Sequence, residues 1–191
     1  MRITGGLHRG RPLRTPAGSG TRPTQDRVRQ ALYSSIALVV WESHVLDLFA
    51  GSGAMGLEAW SRGASCVDFV ESSAAALRAL RANVATLGAE AVSRVIAADV
   101  FKVLAGPPRS PHAPYGLVVA DPPYALARER GYLRRLGELL AWNGWIKEGG
   151  FFVFETEGHD EVEPMEGYEL AADKTYGATR LLIWRFEGVL D

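Results

Sequence analysis

The sequence predicts an α/β protein built on a doubly wound, mostly parallel sheet. Three observations predict it. Short apolar runs alternate with stretches of helical periodicity between Val45 and Phe154. A glycine-rich turn, Gly51-Ser52-Gly53-Ala54-Met55-Gly56, lies between the first run and the first helix of that alternation. Successive runs also deliver acids to one edge: Asp47 in the first, Glu71 after the second, Asp99 after the third and Asp121 after the fourth. Ligands of open parallel sheets bind at that edge.

The elements follow in order. Arg2–Thr4 and Arg11–Arg14 read as the arms of a small β-hairpin around Gly5-Gly6 and Gly10. Gly18-Ser19-Gly20 reads as a linker, so residues 1–20 are expected to form a basic N-terminal extension and 21–191 the main domain. Thr24 can cap a helix with Asp26 in its first turn, and Val28, Leu32, Ile36 and Val39 recur at helical spacing. Val45–Phe49 is the first core strand, Met55–Arg62 a helix stopped by Gly63, and Cys66–Val70 the second strand. Leu77, Leu80, Val84 and Leu87 mark a helix ending at Gly88, and Arg94–Ala97 is the third strand. The four prolines of 106–114 mark a surface loop, and Leu117–Ala120 is the fourth strand. Leu133, Leu136, Leu139 and Leu140 mark a helix before Phe151–Phe154, the fifth strand. Tyr168–Leu170 and Arg180–Phe186 have no long helix between them and are expected to pair antiparallel.

Composition narrows the class. The chain has 191 residues, 47% of them hydrophobic, enough for one sizeable core. Cys66 is the only cysteine and sits in an apolar run, which excludes an intrachain disulfide and suits a small core residue. His8, His44, His112 and His159 are scattered, so no metal site is expected. No apolar run is long enough to span a membrane, and the basic N-terminus has no apolar signal core, so a cytoplasmic protein is expected; nothing in the sequence suggests more than a monomer. The net charge of −1 conceals an asymmetry. Residues 1–30 hold seven arginines and one acid, whereas the remaining 161 hold 14 basic and 21 acidic side chains. Arginine's planar fork suits phosphate, so Arg2, Arg9, Arg11, Arg14 and Arg22 are candidate nucleic-acid contacts. The competing reading is a solvated tail.

Two motifs carry chemistry. Gly51, Gly53 and Gly56 fit the nucleotide-binding glycine pattern, and Glu71 follows Gly51 by 20 residues, the place of an acid that grips ribose hydroxyls. That spacing serves NAD and S-adenosylmethionine (SAM) equally. Asp47 helps to decide, because a carboxylate beside the glycine turn repels a diphosphate and suits the amino group of a methionine moiety. Asp99, with Val100 beside it, can accept from an adenine amino group or cap a helix. The second motif is Asp121-Pro122-Pro123-Tyr124. Two prolines remove two backbone donors. What remains is a carboxylate, free carbonyls and an aromatic ring, suited to holding an exocyclic amino group while its base stacks.

Asp47–Gly53, Glu71, Asp99 and Asp121–Tyr124 together resemble the Rossmann-like SAM-dependent methyltransferase fold with its amino-methylating motif. More narrowly, Arg22-Pro23-Thr24-Gln25-Asp26-Arg27-Val28-Arg29 and Asp47 to Ala59 resemble the bacterial small-subunit (16S) ribosomal RNA guanine-N2 methyltransferase family, RsmD. The opening Arg2-Ile3-Thr4-Gly5-Gly6 and the late Lys174-Thr175-Tyr176-Gly177 are also similar to it. Met55, where leucine is expected, and the longer loop at 106–114 are mild departures.

The resemblance implies methyl transfer from SAM to the 2-amino group of a guanine in ribosomal RNA or the small subunit. Asp47, Phe49, Ala50, Gly51, Ser52, Gly53, Glu71, Asp99 and Val100 would hold the cofactor. Asp121 and the Pro122 carbonyl would accept the two amino hydrogens, with Asp121 as acceptor or as full general base. Pro123 stiffens the turn and Tyr124 stacks on a base turned out of its helix. The alternatives are a DNA adenine-N6 methyltransferase, for which about 70 residues after the motif leave little room for target recognition, an NAD-linked oxidoreductase, and a non-catalytic RNA-binding module.

Overall fold

A computed structural model describes residues 1–16, 23–158 and 162–188. The Gly18–Gly20 linker, Arg22, His159 and the Thr24 side chain lie outside the described residues. In chain order the elements are α1 (Pro23–Ser35), α2 (Ala37–Val40), β1 (His44–Leu48), α3 (Ala54–Ser61), β2 (Cys66–Glu71), α4 (Ala74–Leu87), β3 (Ser93–Ala97), α5 (Val100–Leu104), β4 (Tyr115–Ala120), α6 (Tyr124–Glu129), α7 (Tyr132–Trp142), β5 (Ile146–Glu157), β6 (Tyr168–Tyr176) and β7 (Thr179–Phe186). A 3-10 turn at Glu90–Val92 precedes β3.

One seven-stranded sheet runs in the order β3-β2-β1-β4-β5-β7-β6. The first five strands are parallel, while β7 pairs antiparallel with both β5 and β6. This is the expected doubly wound sheet with its antiparallel C-terminal pair. Strand alternation sorts the core onto two faces. Val45, Val67, Phe69, Leu117 and Val119 pack with the side of α1, α3 and α4. Leu46, Leu48, Val70, Val118 and Phe152 pack with that of α5, α6 and α7.

Local signals account for most boundaries. In α4, Ser73 caps the N-terminus by accepting from Ala76 N–H at 3.4 Å, and Gly88 ends the helix in the left-handed region. Strand β5 is longer than the expected Phe151–Phe154. It starts at Ile146 and carries an irregularity, seen as a register shift against Tyr115 and Leu117, that absorbs Gly149-Gly150. Two short helices, α5 and α6, are additions to the expected set.

The N-terminal segment folds back on itself through one antiparallel bridge, Arg2 to Pro12, supported by Ile3 N–H to Arg11 O at 3.0 Å and Gly10 N–H to Ile3 O at 2.8 Å. It is fastened to the body. Ile3 and Leu13 are buried in the α1/α3/α4 core, each contributing about 1.5–3 kcal/mol of burial. Fully buried Glu58 of α3 accepts from Thr4 N–H and Thr4 Oγ1 with one oxygen each, both at 2.7 Å, and also pairs with Arg29 and Arg62. Asn83 of α4 accepts from Arg14 N–H at 2.8 Å and donates to the carbonyls of Arg14 and Ser52. Removing residues 1–20 would therefore strip core surface and take two of its donors from a buried carboxylate that keeps only Arg29 and Arg62, so point substitutions are the proper way to test its arginines.

Candidate active site

The C-terminal ends of β1, β2, β4 and β5 surround two adjoining cavities. One, of about 220 Å³, is lined by Asp47, Phe49, Ala50, Gly51, Ser52, Met55 and Asp121, with Met1, Thr15 and Pro16 of the N-terminal segment. The other, of about 850 Å³, is lined by Phe49, Glu71, Ser72, Ser73, Asp121–Tyr124, Tyr132 and the β6–β7 turn Gly177–Thr179. Gln25, Phe49 and Asp121 border both. The expected catalytic turn thus stands where the two spaces meet.

The glycine turn is built for close approach. Phe49, Gly51 and Gly53 have φ of 59°, 56° and 80°, in the left-handed region. For Phe49 this conformation is costly, and such strain collects at functional sites. A Cβ on Gly51 would meet only the Phe49 carbonyl at 3.9 Å, so that side of the turn is open. Gly56 has a different reason: a Cβ there would strike Phe69 and Val67, so it permits α3 to pack on the sheet.

Glu71 braces this turn. Its Oε2 accepts Gly51 N–H at 2.8 Å and its Oε1 accepts the N–H groups of Ser72 and Ser73 at 2.8 and 2.7 Å. Asp47 is nearly fully buried, and its Oδ2 accepts Gly56 N–H at 2.8 Å. Burial raises the Asp47 pKa to about 7, helped by Glu71 and opposed by the Gly56 hydrogen bond. Asp99 is exposed and caps α5, accepting Lys102 N–H at 3.0 Å, while Val100 is buried beneath it in the core.

In the catalytic turn, the Pro123 carbonyl accepts Ala127 N–H at 3.0 Å and so starts α6. Asp121 is pushed well above the usual carboxylate range by burial, then by Glu155 and Asp47. The Tyr124 hydroxyl donates to Glu155 Oε1 at 2.6 Å. Glu155, Gln25 and Tyr132, which stacks on Phe49 at 5.8 Å between ring centroids, were not among the sequence candidates. Glu155 falls inside an apolar strand and Gln25 inside a helical pattern, so neither gives a motif. Asp121 is repelled by Asp47 on one side and Glu155 on the other, and Asp47 and Asp121 both line the small cavity, which suits a ligand carrying positive charge.

Of the candidate RNA contacts, Arg2, Arg9, Arg11 and Arg14 are exposed. Arg11 donates to the Thr86 carbonyl at 3.3 Å. Arg9 lies near the far end of α3, where Leu7 N–H and His8 N–H bond Ser61. Arg14 returns toward the glycine turn through Asn83.

Comparison with known proteins decides the family. The family described as "Conserved hypothetical protein 95" matches residues 1–185. The Ribosomal RNA small subunit methyltransferase D of Escherichia coli K12 is 40% identical over 157 residues, covering 82% of this chain and 75% of its own length. The chain belongs to the RsmD family. The Haemophilus influenzae protein of the same name is 34% identical over 93% of this chain and 89% of its own. The solved structure of the putative methyltransferase yhhF from Escherichia coli is similar over 98% of this chain and 98% of its own, with a TM-score of 0.84 at 35% identity. The RNA methyltransferase of Salinibacter ruber in complex with S-adenosyl-L-homocysteine shares the fold, with a TM-score of 0.64 at 13% identity. Among the described residues, no group of three or more metal-ligating side chains is placed to hold a metal, and no helix is long and apolar enough to cross a membrane.

Proposed function

We propose that this chain transfers the methyl group of SAM to the exocyclic N2 of a guanine in 16S ribosomal RNA, acting as a cytoplasmic monomer. The observation that carries the reading is the position of Asp121, shared by a small acidic cavity behind the glycine turn and a large open cleft. Membership of the RsmD family supports it.

The residues fit the cofactor. Asp47 faces the small cavity as partner for an amino group, the open side of Gly51 leaves room for close approach, and Glu71 is held rigid at the rim with capacity left on Oε2 for a ribose hydroxyl. Phe49, Ala50, Ser52 and Gly53 complete the cradle, with Asp99 and Val100 at the adenine end. When bound, SAM supplies a methyl group activated by a sulfonium. Asp121 and the Pro122 carbonyl accept the two hydrogens of the amino group, aim its lone pair at the methyl and stabilise the positive charge that develops on nitrogen. The proton leaves to solvent or through Asp121. Tyr124 stacks on the base, Pro123 holds the turn, and Arg2, Arg9, Arg11, Arg14 and Arg22 contact phosphates, which position the RNA without reading it.

Labelled SAM offered with ribosomal RNA and with duplex DNA tests the reading. RNA labelling is expected; labelling of DNA alone would favour the adenine-N6 alternative, since the same turn serves both. Alanine at Arg9, Arg11 and Arg14 should weaken RNA binding and make its salt dependence shallower, because each neutralised phosphate releases counterion. An unchanged salt slope in the folded variant would remove these arginines from the interface.

Cofactor affinity should depend on pH through Asp47. Its pKa of about 7 means that it is mostly protonated below that value, and only the carboxylate pairs with an amino group. SAM affinity should therefore rise on the order of tenfold from pH 5.5 to 7, by titration calorimetry. Above that the ligand's own amino group begins to lose its proton. Asp47→Asn should flatten the profile, and a flat wild-type profile would contradict the assignment. The stability sign is opposite. A carboxyl whose folded pKa is raised binds more protons folded than unfolded, so its contribution is full below about pH 4 and is lost as pH rises through 7.

A further inference from the structure

We propose that Glu155 is a positioning residue of the methyl transfer, fixing the Tyr124 ring as a ready platform for the target base; this rests on the function proposed above. Three observations carry it. Parallel pairing of Ala120 with Phe154 sets the next residues, Asp121 and Glu155, level with each other at the ends of β4 and β5. Glu155 is 93% buried, its relative exposure being 7%, an expensive place for an acid that among the described residues makes no salt bridge. Among the described residues its side-chain hydrogen bond is with Tyr124, the hydroxyl donating to Oε1 at 2.6 Å.

A half-buried tyrosine at the start of a six-residue helix would otherwise share its time among rotamers. A base docking on it would then have to order the ring, which weakens binding. The buried carboxylate removes that cost in advance. Glu155 has a second consequence through charge. The groups facing it are Tyr124 at the start of α6, Asp121 at the end of β4 and, at longer range, Arg29 of α1; Thr179 of β7 reaches the Tyr124 hydroxyl and Asp47 of β1 faces Asp121. Glu155 repels a charge on Asp121, so it raises the pH at which Asp121 becomes an acceptor.

The test uses the full chain, labelled SAM and ribosomal RNA. Glu155→Leu and Tyr124→Phe should each raise the KM for RNA about tenfold with SAM affinity within twofold of wild type, and the double variant should be no worse than either single one. Glu155→Gln, which keeps an acceptor oxygen, should restore most of the KM. It should also move the acidic limb of the kcat profile to lower pH, because removing a like charge lets Asp121 ionise sooner. The carbon-13 signal of the Tyr124 hydroxyl-bearing carbon, assigned by its loss in Tyr124→Phe, should shift in Glu155→Gln without any substrate. Additive single-variant effects, an unmoved acidic limb or an unmoved Tyr124 signal would overturn the proposal. Should Glu155→Leu fail to fold, Glu155→Gln and Tyr124→Phe decide. A wild-type protein that labels no RNA sinks the functional reading instead, and the Tyr124 signal still reports on the contact.

Discussion

Asp121→Ala should cut methyl transfer on the order of 10²-fold or more while SAM affinity stays within a few-fold. In the proposed reaction the side chain would touch the amino group that reacts and would supply a contact that strengthens as positive charge appears there. Its ground-state contribution is small by comparison. Burial and two neighbouring acids already make the ionised form costly, so removing it relieves repulsion on Asp47 and Glu155. Asp121→Asn separates acceptor from base. An amide oxygen still accepts one amino hydrogen, so this variant should retain more turnover than alanine and should lose the acidic limb that Asp121 imposes. Single-turnover rates with saturating RNA read both effects. Near wild-type turnover in Asp121→Ala would reduce the motif to a turn.

Glu58→Ala should destabilise the fold by about 3–5 kcal/mol, the range for breaking a buried ion pair from one side. The carboxylate is fully buried, and among the described residues it is hydrogen-bonded by Thr4 twice and paired with Arg29 at 3.2 Å and Arg62 at 2.7 Å. Its loss leaves Arg29, itself only 4% exposed, with Asp26 at 2.8 Å and the Arg2 carbonyl as partners. It also frees Thr4 and hence the N-terminal segment. Denaturant unfolding should show the midpoint falling with a similar slope. A loss below about 1 kcal/mol would mean that Ile3 and Leu13 hold the segment without this carboxylate.

Period and punctuation made the sheet readable in advance. The five core strands announce themselves as apolar runs, and Gly63 and Gly88 stop their helices where expected. Helices α5 and α6 gave no such signal. Five and six residues are too few to show a helical period, and Pro122-Pro123 reads as loop. The acids of the site were readable because they end strands. Their partners were not. Glu71 spends two hydrogen bonds on its own loop and a third on Gly51 of the neighbouring turn, and Glu155 finds Tyr124 only because β5 lies beside β4, a pairing that no local pattern encodes. Gln25 comes to the cavity by tertiary packing of α1. The same holds for the N-terminal segment. Its arginines suggest an arm reaching into solvent, but two apolar residues among them, Ile3 and Leu13, bind it to the core.

The most direct measurement is the identity of the methylated nucleoside. Ribosomal RNA or small subunits lacking the modification would be incubated with the protein and labelled SAM, digested to nucleosides and resolved. Label is expected in N2-methylguanosine at a single site, abolished by Asp121→Ala. Label in an N6-methyladenine nucleoside, or label in RNA that survives Asp121→Ala, would contradict it.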